Sequence, residues 1–246
     1  MMSADANIIE IFSSIQGEGK YVGCRQVFVR FAGCNATCKY CDTMTSRKSS
    51  VTKAQIEESP GSRRFMSVDN PIEPLQLLGY ITNLYDHKHH SVSFTGGEPL
   101  CHSTALSLFL PMFRGIKYLE TNGTLPDELE KVLPHIDIIS MDIKLPSVAG
   151  KNYWEEHRNF LRIAKQREVF VKIVISGETN DAEFDTAIQL IAEIDNNIPV
   201  ILQPVTPINS CKSVAPERVL FLHDKASVQL NDLRVIPQTH KYIGQM

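Results

Sequence analysis

Three cysteines in one short loop are the residues of this chain best suited to bind a metal centre. They are Cys34, Cys38 and Cys41, in the spacing C-x3-C-x2-C. A structural zinc site or a fully ligated iron–sulfur cluster takes four protein ligands. Three thiolates leave one coordination position open, and open positions are where metal chemistry takes place. The spacing therefore predicts an open metal site whose last ligand is not a cysteine of this loop.

A zinc site is the alternative, and it needs a fourth His or Cys near the loop. Cys24 is the only close candidate, but it precedes the predicted strand at residues 27–31 whereas the loop follows that strand. The nearest histidine along the chain is His87. A 4Fe–4S cluster with one free iron is therefore favoured, and a zinc-binding module without catalytic activity is the remote alternative.

The composition is that of an ordinary globular protein. The 246 residues are 43% hydrophobic and 22% charged, with a formal net charge of −3. This charge argues against a protein that binds nucleic acid or a membrane surface, and we find neither a signal peptide nor a membrane-spanning run. We expect a cytoplasmic protein, in which the scattered Cys24, Cys101 and Cys211 are small buried apolar residues.

Strand and helix patterns alternate along the chain from about residue 90. β-rich runs are predicted at residues 27–31, 91–95, 116–120, 136–141, 168–175, 199–203 and 233–236. This alternation indicates βαβ units in a parallel sheet, and about six units fall short of the eight of a closed barrel. We expect an α/β fold, a partial, splayed (βα)6 barrel, in which residues 1–246 form one domain. Ligands bind at the carboxyl ends of such strands.

Residues 44–71 interrupt this alternation. The segment is rich in Ser, Lys, Arg and Pro, and only residues 51–59 look weakly helical. We interpret it as an excursion from the barrel that either covers the site or forms a surface loop.

A second motif, Thr95-Gly96-Gly97-Glu98-Pro99, follows the predicted strand at residues 91–95. Two glycines allow a close approach of the backbone to a ligand, and carboxylate and carbonyl oxygens accept hydrogen bonds from an ammonium group. Alone it could be a simple strand-to-helix turn. Together with the cysteine loop, in which Tyr40 precedes the last cysteine, it resembles the radical S-adenosylmethionine (SAM) superfamily. There the free iron is chelated by SAM, which implies SAM contacts for Gly96, Gly97 and Glu98.

Asp142 and Lys144 form a third candidate element after the strand at residues 136–141. Residues two apart on a strand point to the same side, although a surface charge pair would show the same pattern. The segment resembles the motif with which a group of glycyl-radical-enzyme activases contacts SAM. The resemblance also implies that the backbone of Tyr40, Cys41 and Asp42 cradles the adenine end of SAM. Ser176, at the end of the strand at residues 168–175, is a further candidate contact with SAM or the substrate.

The two ends of the chain narrow the resemblance to one family. Residues 9–19 (IEIFSSIQGEG), 30–34 and 41–43, with residues 238–244 (QTHKYIG), resemble the 7-carboxy-7-deazaguanine synthase family. This family converts 6-carboxy-5,6,7,8-tetrahydropterin into 7-carboxy-7-deazaguanine, a precursor of queuosine-type nucleosides, with loss of ammonia. An activase that acts on a glycine of a partner protein is the alternative within the superfamily.

The family resemblance implies substrate contacts along most of the chain. It implies that Ile15, Gln16, Gly17 and Thr95 bind the pterin and that Arg30 pairs with its carboxylate. It implies that Thr43 helps to hold Mg2+. Met246 stands where family members often end in a proline whose carboxylate approaches the substrate.

The same resemblance implies an electron donor such as flavodoxin or ferredoxin, and a homodimer. It further implies that a 5′-deoxyadenosyl radical derived from SAM takes a hydrogen from C6 of the pterin and that SAM is regenerated.

Overall fold

A ten-stranded mixed sheet organises the described part of the chain. The structure is a computed structural model that describes residues 5–41, 43–208 and 211–246. The strands are β1 Ile8–Ile15, β2 Arg25–Phe31, β3 Lys53–Glu57, β4 Phe65–Asp69, β5 Ser91–Gly96, β6 Lys117–Thr121, β7 Ile138–Ile143, β8 Glu168–Ile175, β9 Val200–Pro204 and β10 Leu233–Val235. The helices are α1 Pro74–Leu84, α2 Ser103–Phe109, α3 Pro126–Val132, α4 Pro146–Ala149, α5 Trp154–Ala164, α6 Asp181–Asp195, α7 Pro216–Ser227 and α8 Thr239–Tyr242.

The sheet is an open, partial barrel, as the sequence predicts. Its strand order is β10-β9-β8-β7-β6-β5-β2-β1-β3-β4, and β2 and β5 to β9 are each parallel to their neighbours in this series. β10 adds one more parallel strand beside β9. Among the described residues β10 and β4 are the two ends of the order and do not pair with each other. The six expected parallel strands are confirmed.

The alternation of side chains along each parallel strand separates the core from the site. In β7, Ile139, Met141 and Ile143 belong to the main core, whereas Ser140 and Asp142 line a cavity. β2 shows the same division, and β1 runs antiparallel beside it. The core side of the sheet packs against helices such as α6, whose first turn is capped by the Asn180 side chain. Period-two alternation thus turns one face of each strand toward helices and the other toward a polar interior.

Part of residues 44–71 belongs to the sheet, as strands β3 and β4, which corrects part of our interpretation. The weak helix predicted for residues 51–59 is wrong, because residues 53–57 form β3, which pairs with β1 and β4. Ala54 and Ile56 are buried and alternate with exposed Lys53 and Gln55. This alternation is typical of a strand, but over so few residues it is hard to distinguish from a helical pattern. The hairpin extends the sheet beyond β1.

The scattered cysteines only partly match their expected burial. Cys211 is buried, Cys24 is half-buried, and Cys101 is exposed, so the expectation is wrong for Cys101.

Among the described residues, we find no helix that is both long and apolar enough to span a bilayer.

Candidate functional site

A cavity of about 580 Å³ lies inside the partial barrel. Its walls include all three cysteines of the loop and polar side chains from the ends of successive parallel strands. β1 and the last residues of the chain complete the lining. The cavity therefore lies where ligands of parallel α/β sheets bind.

The cysteine loop is held in place mainly by backbone hydrogen bonds. Gly33 N donates to Ser46 O (2.6 Å), and Lys39 N donates to Val148 O (3.0 Å). The Arg47 guanidinium donates to the carbonyl of Cys38. Burial raises the pKa of the Cys34 thiol. The neighbouring short turn Met44–Arg47 and the helix α4 therefore fix the loop from two sides.

The donor set fits a cluster better than a single metal ion. Among the residues that the structure describes, no three His, Cys, Asp or Glu side chains are arranged to hold one ion. In a 4Fe–4S cube each thiolate binds a different iron, so the sulfurs lie farther apart than around one zinc ion. Cys24 precedes β2 and does not line the cavity. Asn122 Nδ2 lies 4.0 Å from Cys34 Sγ, where it can donate to a thiolate.

The two glycines after β5 bring that strand end against the cysteine loop. A Cβ on Gly97 would lie 2.0 Å from Gly33 O, and one on Gly96 would lie 2.4 Å from Phe31 N. Gly96 also has a φ of +116°, which L-residues rarely adopt. Both glycines line the cavity, but the direction in which an L-residue would carry its Cβ faces protein backbone. The close packing of the two motifs therefore requires glycine at both positions.

The Glu98 side chain lies beneath the cavity and does not line it. Its carboxylate accepts hydrogen bonds from Leu100 N (3.1 Å), Thr121 Oγ1 (2.8 Å) and Asn122 N (2.8 Å). Burial raises the pKa of Glu98 to about 7. The carboxylate ties the ends of β5 and β6 together, and its predicted contact with SAM stays a prediction.

Asp142 and Lys144 do share one side of the β7 end. Lys144 Nζ donates to Asp142 Oδ2 (2.8 Å) and lies 5.3 Å from the centre of the Tyr40 ring. Lys172 Nζ lies 3.9 Å from the same Asp142 oxygen and 2.5 Å from Glu18 Oε2. Opposite charges therefore alternate along the cavity wall. Asp142 Oδ1 is buried and has no hydrogen-bond partner within the described residues.

A carboxylate that sequence reasoning did not single out lies at the other half of the cavity. Glu120 Oε1 accepts from Gln16 Nε2 (2.7 Å) and Ser93 Oγ (3.1 Å), and its Oε2 accepts from Thr95 Oγ1 (2.9 Å). Gln16 Nε2 also donates to Gln26 Oε1 (3.0 Å). The predicted substrate residues Gln16 and Thr95 are thus brought together by Glu120.

Arg30 lines the cavity beside two stacked aromatic rings. Its Nε donates to Glu10 Oε1 (2.7 Å) directly across the β1–β2 pair, and its guanidinium lies 5.6 Å from the centre of the Phe12 ring. Phe12 stacks on Phe28 at 5.3 Å. A guanidinium has five N–H donors, so this arrangement leaves capacity for an anionic ligand.

The end of the chain folds over the segment that contains Gly17. Thr239 N donates to Gly17 O (2.8 Å), and a Cβ on Gly17 would lie 2.1 Å from the His240 ring. Met246 lines the cavity, and its main-chain O accepts from Ser14 Oγ (3.5 Å). Ile15 and Gly17 line the cavity too. The structure therefore brings residues 14–17 and the C-terminal segment together.

Other predicted residues have mixed placements. Thr43 lines the cavity, with its Oγ1 4.0 Å from Cys41 Sγ. Ser176 does not line it, since its side chain accepts from Glu178 N in the turn after β8 (3.1 Å). Asp42 lies outside the described residues.

Glu120, Lys172, Gln203 and His240 line the cavity and are absent from our predicted set. The only sequence signal was their position at strand ends or in the C-terminal motif.

Comparisons with known proteins agree with this geometry. The model of the radical SAM superfamily matches residues 28–191. The chain is 42% identical over 252 residues to the 7-carboxy-7-deazaguanine synthase of Geobacter sulfurreducens, with 100% of both chains covered. It is 37% identical to the 7-carboxy-7-deazaguanine synthase of Archaeoglobus fulgidus, with 97% of this chain and 98% of the relative covered.

Solved structures support the fold. QueE from Escherichia coli superposes with a TM-score of 0.61 at 20% identity and covers 97% of this chain and 96% of its own. A radical SAM methyltransferase from Sphaerobacter thermophilus superposes with a TM-score of 0.57 at 13% identity and covers 87% of this chain and 66% of its own. At these identities the likeness concerns the fold alone.

Proposed function

Because the chain belongs to the 7-carboxy-7-deazaguanine synthase family of radical SAM enzymes, we propose that it converts 6-carboxy-5,6,7,8-tetrahydropterin into 7-carboxy-7-deazaguanine and ammonia. The observation that carries the proposal is the 42% identity to a synthase over the full length of both chains. A three-cysteine loop in the wall of a cavity with many polar residues agrees with it. Membership of the family also removes the zinc-module alternative.

The cysteine wall is the part of the cavity that would hold the cofactors. Cys34, Cys38 and Cys41 would ligate the 4Fe–4S cluster. When bound, the cluster and SAM together supply the 5′-deoxyadenosyl radical that starts the reaction. The unpartnered Asp142 Oδ1 is a ready acceptor for a SAM hydroxyl or ammonium group, and Lys144 holds the same carboxylate from its other oxygen. Tyr40, Cys41, Gly96 and Gly97 line the same cavity.

The Glu120 carboxylate is suited to recognise the pterin ring by hydrogen bonding. The pyrimidinone edge of a pterin presents neighbouring N–H groups, and a carboxylate with two oxygens can accept both. Gln16 and Thr95 already donate to Glu120 and fix the orientation of its carboxylate. We therefore place the pterin ring against Gln16, Thr95 and Glu120.

The carboxylate of the pterin needs a cation in the part of the cavity where the pterin ring is placed. Arg30 is the guanidinium that lines this region, and carboxylates pair well with the planar fork of arginine. Thr43 would take part in holding Mg2+, which commonly keeps few protein ligands and several waters. When bound, Mg2+ would supply positive charge to substrate oxygens near Thr43.

We propose that water exclusion falls to one part of residues 44–71 together with the C-terminal tail. The β3–β4 hairpin of this segment extends the sheet. Ser46 and Arg47 of the same segment line the cavity, as do Gln238, His240 and Met246. The short turn after the cysteine loop and the C-terminal tail are therefore the covering elements.

We also propose the partners and the setting of the enzyme. A one-electron donor of the flavodoxin or ferredoxin kind would reduce the cluster, since the reaction needs an electron to start. A homodimer is the family expectation, and exposed apolar side chains such as Leu75, Tyr242 and Ile243 are available to its interface. The free thiols, which are clustered in a metal-site spacing, support a reducing, cytoplasmic setting.

Anaerobic turnover tests the proposed function. The protein is reconstituted with iron and sulfide, reduced, and mixed with SAM, Mg2+ and 6-carboxytetrahydropterin. We expect 7-carboxy-7-deazaguanine and one ammonia per turnover, with a Cys38→Ala variant inactive and colourless. A brown, SAM-binding protein that forms no product from the pterin would refute the proposed substrate and favour the activase alternative.

A further inference from the structure

The turn between β3 and β4 reaches the last three residues of the chain. Arg63 lies in this turn, and its Nη2 donates to Gly244 O (2.8 Å) and approaches Gln245 Oε1 (3.4 Å). The two partners are 181 and 182 residues away along the sequence. No sequence pattern links an exposed arginine in a hairpin turn to a chain terminus.

The backbone of Arg63 is itself held rigidly. Glu57 is buried, and its two carboxylate oxygens accept from Arg63 N and from Ser13 N of β1, both at 2.8 Å. Arg63 is also the only non-glycine residue among those described that has a positive φ, at 55°. The turn is therefore fixed to β1 in a conformation that points the guanidinium at the tail.

The tail that Arg63 contacts forms part of the cavity wall. Gln245 and Met246 both line the cavity. Ser14 Oγ on β1 lies 3.3 Å from Gln245 Oε1 and 3.5 Å from Met246 O. Gln16 directly follows β1 and lines the same cavity, so the end of the chain lies beside the proposed pterin site.

We propose that Arg63 is a positioning residue for the substrate: it clasps residues 244–246 so that the terminal residues close the pterin half of the cavity. The proposal rests on the proposed function for the identity of the substrate, but the clasp itself does not depend on it. Arg63 contacts no substrate in this account and acts only through the tail. Its loss should therefore weaken substrate binding more than it slows the chemical steps.

The first experiment measures the clasp without cluster, SAM or substrate. Carboxypeptidase releases Met246 and Gln245 from native apoprotein, and mass spectrometry follows the rate. We expect release about fivefold or more faster from Arg63→Ala, because a hydrogen bond with a charged donor is lost. The matched control is Arg64→Ala, since Arg64 is in the same turn but pairs with Glu58 at the surface. Equal release rates for wild type, Arg63→Ala and Arg64→Ala would overturn the proposal.

The second experiment measures steady-state kinetics of the reconstituted enzyme. Arg63→Ala should raise KM for the pterin about three- to tenfold, with kcat and the Kd for SAM within about twofold of wild type. Arg63→Lys should recover part of the loss, because an ammonium can donate to Gly244 O. A fall in kcat with an unchanged KM would contradict a positioning role.

A variant that lacks Gln245 and Met246, combined with Arg63→Ala, tests whether Arg63 acts through the tail. The truncated enzyme should have a raised KM, and adding Arg63→Ala to it should change KM no further, because the tail is the route by which Arg63 acts. Additive effects would show that Arg63 acts by another route.

A further variant separates the clasp from folding. Glycine accepts the positive φ at position 63 without strain, so Arg63→Gly should be at least as stable as wild type and still have the raised KM. A normal KM in Arg63→Gly would overturn the proposal. If wild type formed no product at all, the proposed function would fail, whereas the carboxypeptidase result would still decide the clasp.

Discussion

Glu120 shows how much of the site depends on a single side chain that the sequence does not mark. Its three hydrogen-bond partners, Gln16, Ser93 and Thr95, come from β5 and from the segment after β1, up to 104 residues away. A glutamate before an ordinary strand-end turn has no distinctive local pattern. Motif-bearing residues such as Cys34 and Gly97 could be predicted, whereas Glu120 could be found only from the parallel pairing of strands.

We predict that Glu120→Gln weakens recognition of the pterin. The amide keeps the shape but loses the charge and one acceptor, so KM for 6-carboxytetrahydropterin should rise at least about tenfold. Cleavage of SAM in the absence of pterin should stay within about twofold, because Glu120 is placed against the pterin rather than SAM.

Steady-state kinetics and a substrate-free SAM cleavage assay make this measurement. Glu58→Gln, at an exposed glutamate on the hairpin, is the control and should behave as wild type. A KM for Glu120→Gln equal to that of the control would remove Glu120 from the substrate site.

At the scale of elements, the contact between the turn after β5 and the cysteine loop matters most. The sequence suggested that the paired glycines serve the approach of a ligand. The structure adds a stronger constraint, since a side chain at position 97 would overlap the carbonyl of Gly33. This requirement could not be inferred from the motif alone, because it depends on β2 and β5 being neighbours.

Gly97→Ala should therefore prevent the cysteine loop from holding its cluster. A Cβ 2.0 Å from Gly33 O forces backbone to move, and the loop carrying Cys34 moves with it. We expect less than about one tenth of the wild-type iron content and visible absorbance after anaerobic reconstitution.

Gly79→Ala is the matched control. A Cβ on Gly79 in α1 meets nothing within 4 Å, so this variant should bind a full cluster and gain up to about 1 kcal/mol of stability. Normal iron content in Gly97→Ala would contradict the packing argument.

A histidine of α5 makes folding stability sensitive to acid. His157 Nε2 accepts from Lys144 N (3.1 Å), just after β7, and burial lowers the pKa of His157 from 6.5 to about 3. Between these values the unfolded chain binds a proton that the folded protein does not. Stability from this group is therefore fully present above pH 6.5 and falls as the pH drops toward 3.

We predict that His157→Gln weakens the pH dependence of stability, because it removes one proton that the unfolded chain binds and the folded protein does not. The slope of the unfolding free energy of apoprotein between pH 4 and 6 should decrease by about 1.4 kcal/mol per pH unit. Urea unfolding at several pH values measures the slope, to which His89 and His102, whose pKa values burial also lowers, contribute as well. The exposed His87→Gln should leave the slope unchanged. An identical slope in His157→Gln and wild type would show that His157 is not the group involved.

The elements that the sequence missed share a physical cause. The β3–β4 hairpin owes its place to the open edge of β1, with which β3 pairs in parallel. Such non-local pairing leaves only a short alternation of buried Ala54 and Ile56 in the sequence. By contrast, β8 carries a long β-branched run and has the bounds that the sequence predicted, whereas β7, with fewer β-branched residues, is displaced by two residues.

For the whole molecule, the main consequence of the fold is that distant segments share one cavity. The cysteine loop, the strand ends and the C-terminal tail line it together. The sequence predicted the open cluster site and the partial barrel. It did not predict the chain of alternating charges from Glu18 through Lys172 to Asp142 and Lys144, because these side chains come from three different segments of the chain.

The transfer of a hydrogen from the pterin tests the central claim, that this cavity aims SAM at a carboxylated pterin. The substrate is labelled with deuterium at C6 and incubated anaerobically with reduced enzyme and SAM. We predict that deuterium appears in SAM and 5′-deoxyadenosine while 7-carboxy-7-deazaguanine forms. Product without deuterium in either adenosyl compound, or no product with an intact cluster, would contradict the account.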